Sequence, residues 1–264
     1  MHWLIGTLAN WLINYFGASV QTISLYNIKG GVGKTASCVN FAYMAARDGY
    51  RTLLWDLDPQ GAASYYFKAV PKKGVSRKLF HGSLSLDEAI MDTDYEGLDI
   101  IPADRSARKL DLVIDDEGGS KKDLRKMLRD IDYNYDFIFL DCAPGFSLLA
   151  DNIFTASDAV LMPVIPTTLS IRSYEIVKEY MSEHGWLDKL ACFFTMVDMR
   201  KKMHEGVINM LMEDRLFFEH YIPGLSDVEK MGARQAPVEA FAKSSYAAIC
   251  YRALWEEIKE GMLG

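Results

Sequence analysis

Apolar side chains fall along this chain in two alternating rhythms. Short continuous apolar runs bounded by turn residues read as strands buried on both faces. Longer stretches with apolar positions three and four apart read as helices packed against them. Residues 21–26, 51–55, 136–141, 158–164 and 190–197 are runs of the first kind; residues 97–102 give a shorter strand and 217–223 read as the last one. Residues 36–46, 86–90, 170–184, 225–231 and 241–260 carry the helical rhythm. Residues 104–131 are charged and read as mostly helical with a break at Gly118 and Gly119. There Leu124, Met127, Leu128 and Ile131 face inward, opposite a basic stripe of Lys121, Lys122, Arg125, Lys126 and Arg129. Strand alternating with helix predicts an α/β fold: a doubly wound, mainly parallel sheet with helices on both faces. No repeat, low-complexity tract or linker interrupts it, so residues 21–264 are expected to form a single domain behind an N-terminal apolar extension, 1–20.

That extension has its own character. Residues 1–19 contain no Lys, Arg, Asp or Glu, and Trp3, Leu4, Leu8, Trp11, Leu12, Tyr15 and Phe16 recur at helical spacing. Neither the basic n-region nor the small-residue cleavage site of a secretory signal is clear, and the stretch is short for a spanning helix. Three readings stand: a helix docked on the body or on a partner subunit, an interfacial membrane helix, or a flexible or non-native leader.

Composition narrows the class without naming it. At 264 residues, 50% hydrophobic and 25% charged, the chain can bury a full core. A net charge of −7 argues against a surface that is basic throughout, though not against a local basic patch. Cys38, Cys142, Cys192 and Cys250 are far apart and form no C-x-x-C pair, so a disulfide or metal framework is not expected and a reducing cytoplasm fits.

The chemistry concentrates where strands end. Between the strand at 21–26 and the helix at 36–46 lies Lys29-Gly30-Gly31-Val32-Gly33-Lys34-Thr35. Strand, glycine-rich loop and helix in that order are what a phosphate-binding loop requires. The glycines let successive N–H groups turn toward an anion at the positive end of the helix. Lys34 is placed to reach β- and γ-phosphates, and the Thr35 hydroxyl to ligate Mg²⁺. The second strand ends in Asp56-Leu57-Asp58-Pro59-Gln60-Gly61, and alternation puts Asp56 and Asp58 on one side of the strand end. The run at 136–141 ends in Asp141, with Cys142-Ala143-Pro144-Gly145 after it. Carboxylates at the carboxyl ends of parallel strands face the ligand crevice.

The loop departs from G-x-x-x-x-G-K-[ST], because Ile28 stands where the first glycine falls and Lys29 precedes the glycines. K-G-G-x-G-K-T resembles the deviant Walker A motif of the ParA/Soj/MinD ATPases, and the D-x-D-P-Q-G and D-x-x-P-G segments resemble further signatures of that family. The resemblance runs from about residue 22 to 258 and implies ATP and Mg²⁺ as cofactors. It implies that Lys29, Gly30, Gly31, Val32, Gly33, Lys34, Thr35, Ala36, Asp58 and Pro223 bind nucleotide, Pro223 on the purine side. Lys29 would cross a nucleotide-sandwich homodimer, Asp58 would orient the attacking water, and Thr35, Asp56 and Asp141 would organise the metal.

The family supplies several partners. The reading taken is a cytoplasmic, nucleoid-associated switch: a weak ATPase that dimerises on ATP, binds DNA without sequence specificity, and is released when an adaptor stimulates hydrolysis. Arg200, Lys201 and Lys202, in the loop after residue 197, and Arg234 are the candidate DNA contacts. Many DNA-partition members carry a basic residue where this chain has Gly224. The basic segment Lys68, Lys72, Lys73, Arg77 and Lys78 reads as a solvated loop or as a contact for DNA, another polyanion or a partner. The alternatives are a membrane-surface ATPase of MinD type that uses the N-terminal helix, the acidic 254–260 segment arguing against a C-terminal membrane anchor, and a metabolic or electron-transfer ATPase with Cys142 near a shared cluster.

Overall fold

The computed structural model describes residues 20–116, 123–131 and 134–263. The expectations for the segment 1–19, for the break at Gly118 and Gly119, and for Lys121 and Lys122 lie outside the described residues.

The first half contains β1 (Gln21–Leu25), α1 (Lys34–Arg47), β2 (Thr52–Asp56), α2 (Ala62–Tyr66), α3 (Val75–Phe80), α4 (Leu86–Ala89), β3 (Met91–Asp92) and β4 (Leu98–Ile101). A 3₁₀ turn (Arg105–Lys109) leads into α5 (Leu110–Asp116), followed by α6 (Asp123–Arg129) and β5 (Phe137–Asp141). The second half contains α7 (Leu148–Ala156), β6 (Ala159–Val164), α8 (Thr168–Glu183), β7 (Leu190–Phe194), α9 (Lys202–Leu211), α10 (Ser226–Arg234), α11 (Val238–Ala242) and α12 (Tyr246–Leu263).

The strands make one seven-stranded sheet in the order β3-β4-β2-β5-β1-β6-β7. Every neighbouring pair is parallel except β3 with β4. The chain starts in the middle at β1, builds outward through β2 and β4, returns to lay β5 beside β1, then builds the other way through β6 and β7. The order therefore reverses at β1, and a doubly wound sheet opens its crevice at the carboxyl ends of the strands around such a point.

Alternation along each strand divides the core. Leu53, Trp55, Ile138 and Leu140 join one cluster with the inner faces of α3, α5, α6, α7, α8 and α9. Ile23, Leu25, Leu54, Phe137 and Phe139 join the other, with α1 and the last helices. Both faces of the central strands are covered, which is why these runs are apolar without interruption. α12 is fixed on the second face by Trp255, whose ring lies 5.5 Å from Phe137 and whose Nε1 donates to Asp48 at 3.0 Å.

Some elements differ from the sequence-based expectation. Residues 217–223 form no strand; they make isolated bridges between Phe217 and Cys192 and between Pro223 and Val197. The N–H groups of Glu219 and His220 turn instead to the Glu257 carboxylate, at 2.7 and 2.9 Å, and Pro223 has no N–H for a ladder. The helix expected over 241–260 is two, because Ser245 accepts from the Ala248 N–H and starts α12 afresh. The loop expected over 68–78 becomes helical at Val75, after Gly74.

Candidate active site

The loop between β1 and α1 is held at both ends by buried polar side chains. Asn27 donates from Nδ2 to the Pro163 carbonyl at 2.8 Å and accepts the Lys29 N–H at 2.9 Å. The Thr195 hydroxyl, just beyond β7, donates to the Val32 carbonyl at 2.9 Å. Gly31 and Gly33 have φ of 72° and 92°, the left-handed region in which a Cβ is costly. The N–H groups of Gly30, Gly31 and Gly33 have no acceptor among the described residues, so the loop is a cradle of unused donors.

Lys34 is buried in the first turn of α1, and its Nζ folds back to the carbonyls of Asn27 at 3.2 Å and Lys29 at 2.9 Å. Burial pushes its pKa down, and the nearby Asp141 works in the opposite direction. Lys29 and Ala36 are half-buried and Val32 is buried, with Lys29 Nζ 3.4 Å from the Ser170 hydroxyl at the start of α8. Thr35 is half-buried beside Asp141.

The two strand-end aspartates lie opposite one another in the β2–β5 register. They differ in what surrounds them. Asp56 accepts the N–H and the hydroxyl of Ser64 on Oδ2, and the Asp58 N–H on Oδ1 at 3.2 Å. Burial raises its pKa to about 6, with the Ser64 and Asp58 donors opposing and the Asp58 charge adding to the rise. Asp141 is fully buried, and neither of its oxygens has a hydrogen bond of ordinary geometry. Burial pushes its pKa well up and the Asp56 charge adds to this, while Thr35 and Lys34 oppose it. A buried carboxylate with both oxygens unsatisfied, beside a threonine hydroxyl and a lysine, fits the protein side of an Mg²⁺–nucleotide site, where the ion keeps waters and phosphate oxygens as its other ligands. Among the described residues no three His, Cys, Asp or Glu side chains form an all-protein metal cage.

Asp58 is half-buried; its Oδ1 accepts the Gln60 N–H at 2.9 Å. The loop after Asp141 is tied back by Tyr26, whose hydroxyl donates to the Gly145 carbonyl at 3.1 Å. Phe146, 41% exposed, packs on Tyr180 with ring centroids 4.4 Å apart. Cys142 points into the core with 1% exposure, so its own thiol does not reach a surface at which a cluster could be shared.

Pro223 is held beside Val197 by the bonds Val197 N–H to Ile222 O at 3.2 Å and Gly224 N–H to Val197 O at 3.0 Å. It lines a cavity of about 350 Å³ together with Met196, Asp198, Arg200, Tyr221 and Tyr246. Arg200 turns its guanidinium onto Asp198 through two bonds of 2.8 and 2.9 Å, while Lys201 and Lys202 are exposed at the start of α9. Arg234 is exposed at the end of α10, and the neighbouring Gln235 reaches the Tyr65 carbonyl of α2. The four candidate DNA contacts thus fall at two places, Arg200 to Lys202 at the start of α9 and Arg234 at the end of α10, and one of them is already neutralised. Sequence reasoning did not single out Asn27, Ser64 or Thr195. Asn27 alone left a signal, a polar residue closing an apolar strand directly before the glycines.

This fold with this loop defines a P-loop nucleotide-binding protein of the deviant Walker A class. A family model described as an AAA domain matches residues 20–183. The chromosome-partitioning ATPase Soj of Treponema pallidum is 28% identical over 253 residues, 90% of this chain and 96% of that protein. Among solved structures, an ATP complex of Cyanothece McdA aligns with a TM-score of 0.80 at 15% identity, over 93% of this chain and 97% of that one. A plasmid partition protein of Borrelia burgdorferi bound to AMPPNP aligns with a TM-score of 0.77 at 19% identity, over 90% of this chain and 98% of that one. The chain belongs to this AAA-domain family, within the ParA/Soj/MinD group of P-loop ATPases. Among the described residues no helix is long and apolar enough to cross a membrane.

Proposed function

We propose that this protein is a Mg²⁺-dependent ATP hydrolase that works as a dimerisation switch, binding a surface while ATP is held and leaving it after hydrolysis. The observation that carries this reading is the pair of buried, unsatisfied Asp141 oxygens beside Thr35 and Lys34, under a loop of unused N–H donors. Lys34 exchanges its two main-chain carbonyls for phosphate oxygens, and the amides of 30–36 take the remaining phosphate charge. Thr35 and Asp141 hold the ion, and bound Mg²⁺ supplies charge neutralisation on the transferring phosphoryl group. Asp56 acts one step back, fixing the turn that carries Asp58, and Asp58 orients the water. Lys29, whose Nζ makes only a long contact to Ser170 among the described residues, swings across to the partner's nucleotide. Pro223 and the cavity beside it take the purine.

The surface we favour is duplex DNA bound without sequence preference, with Lys201, Lys202 and Arg234 as candidate contacts. The ATP dimer brings two such weak patches together and raises avidity without a new contact. An adaptor stimulates hydrolysis, and cargo positioning follows in the cytoplasm over the nucleoid. The test is sedimentation with ATP, ADP or no nucleotide, in Mg²⁺ or EDTA, read together with phosphate release. A dimer that forms only with Mg²⁺–ATP, with slow turnover, supports the switch. A monomer under every nucleotide overturns it.

A further inference from the structure

Some cations on this acidic chain have an acid within ion-pair distance. Lys68 pairs with Asp94, Arg51 with Asp136, Lys178 with Asp214, Arg200 with Asp198, Lys230 with Asp227 and Lys259 with Asp48. Others make no ion pair among the described residues, Lys201, Lys202 and Arg234 included, and six of them lie on or beside two joined elements. Lys72 and Lys73, with Arg77 and Lys78 of α3, and Arg105 and Arg108 of the 3₁₀ turn are all exposed, and none makes an ion pair among the described residues. α3 and the turn are stitched together: the Ser106 hydroxyl accepts the Arg77 N–H at 3.0 Å and donates to Asp104 at 2.6 Å. Two acids lie nearby, and the Ser85 donors, joined by the Lys72 charge, hold Glu88 below the usual carboxylate range. Asp104 accepts the N–H groups of Gly74 and Ser76, and Glu88 accepts the N–H and hydroxyl of Ser85.

This surface is wired to the nucleotide site. Asp58 N–H bonds to Asp56, Asp56 to Ser64, and the Ser64 hydroxyl accepts the Ala103 N–H at 2.9 Å. The next residue, Asp104, holds the start of α3. A continuous run of hydrogen bonds therefore joins the D-x-D loop to the backbone of Arg77.

From this we infer that α3 and the 3₁₀ turn form the main polyanion-binding face of the protein, and that its ligand is the phosphate backbone of duplex nucleic acid. Six long cations, none in an ion pair among the described residues, lie on two joined elements and the segment just before α3, and match a row of phosphates. They offer neither a pocket nor a fixed fork for reading base edges, so the contact is indifferent to sequence. The inference rests on the DNA-surface reading above and moves its centre from the loop at Arg200 to α3.

The experiment compares full-length wild type, the quadruple K72A/K73A/R77A/K78A, the double R105A/R108A and the triple R200A/K201A/K202A. Each is titrated with an arbitrary-sequence duplex in Mg²⁺–ATP across a salt series, with binding of a fluorescent ATP analogue confirming an intact fold. The quadruple variant is expected to bind duplex at least about tenfold more weakly and to lose up to roughly 3.6 units from its log–log salt slope, since each phosphate contact contributes about 0.9. The double variant, which leaves α3 untouched, is expected to lose a smaller share in the same direction. Undiminished duplex binding by the quadruple and double variants, with loss in the triple, overturns the inference and leaves the DNA reading standing. A wild type that ignores duplex under every nucleotide, or binds only vesicles of anionic lipid, overturns both.

Discussion

Ser64 directs its backbone N–H and its hydroxyl at the same oxygen of Asp56, at 2.8 and 2.6 Å, and its own Oγ accepts the Ala103 N–H. One buried hydroxyl therefore connects the end of β2, the start of α2 and the segment after β4. Removing it in Ser64→Ala strips Asp56 of a donor and leaves the Ala103 N–H without a partner. A buried polar group left unsatisfied costs about 1–3 kcal/mol. Urea unfolding should show a loss of that size, with the urea dependence of the unfolding free energy unchanged. A Ser64→Ala protein as stable as wild type would mean that water replaces the hydroxyl.

Lys34 bonds in this structure only to carbonyls of its own loop. Lys34→Ala should leave the sheet folded and weaken triphosphate binding. A hydrogen bond to a charged group contributes about 1.5–3 kcal/mol, so affinity for a fluorescent ATP analogue should fall roughly tenfold to a hundredfold or more. Lys29→Ala should behave differently. Because Lys29 is assigned to the partner's nucleotide, monomer affinity should hold within about twofold, an energy difference under 0.5 kcal/mol, while the ATP-dependent dimer is lost on sedimentation.

Asp104 gives stability a definite pH signature. Burial pushes its pKa up, but donors from Ser106, Ser76 and Gly74 outweigh burial, so its pKa is lower than in the unfolded chain. A group with a depressed folded pKa contributes stability above its unfolded value and loses it as pH falls through the folded one. The contribution is therefore complete above pH about 4 and disappears below it. Asp104→Asn should match wild type in strongly acidic urea melts and fall behind as pH rises past that range. A constant difference at every pH would show that the carboxylate charge is not what holds α3.

How much of this was legible beforehand depended on the range of the interaction that fixes each part. The place of the glycine loop between β1 and α1, and of Asp56 and Asp141 at strand ends, was readable because the signals are local: glycines, a lysine and carboxylates closing apolar runs. The central strands were readable because burial on both faces leaves a continuous apolar run. The region 217–223 was misread because its apolar residues suit a strand, while the N–H groups of Glu219 and His220 in its middle go to Glu257, far along the chain on α12. Ser64 and Thr195 were invisible for the same reason, since their partners lie 39 and 163 residues away. The neutralisation of Arg200 was local, two residues from Asp198, but it depends on side-chain geometry that spacing does not reveal.

Asp141 carries the sharpest opposition between stability and function. It is a buried carboxylate with unsatisfied oxygens, facing Asp56 across the β2–β5 register. Ionised and without a cation, such a group destabilises the fold, because charge in a buried site is costly unless paired. Asp141→Asn removes that charge while keeping the shape. In EDTA at alkaline pH, where the native carboxylate is driven to ionise, the variant should melt at a higher temperature than wild type. Adding Mg²⁺ and ATP should reverse the order, because only the native carboxylate gains a cation and the linked binding energy. Thermal melts of both proteins, with and without Mg²⁺–ATP, provide the four numbers needed. A crossing of the two proteins identifies Asp141 as a group retained for the metal at the expense of the empty fold. A variant less stable in every condition would make the residue structural and move the metal-holding role to Asp56, whose oxygens are already engaged by Ser64 and Asp58.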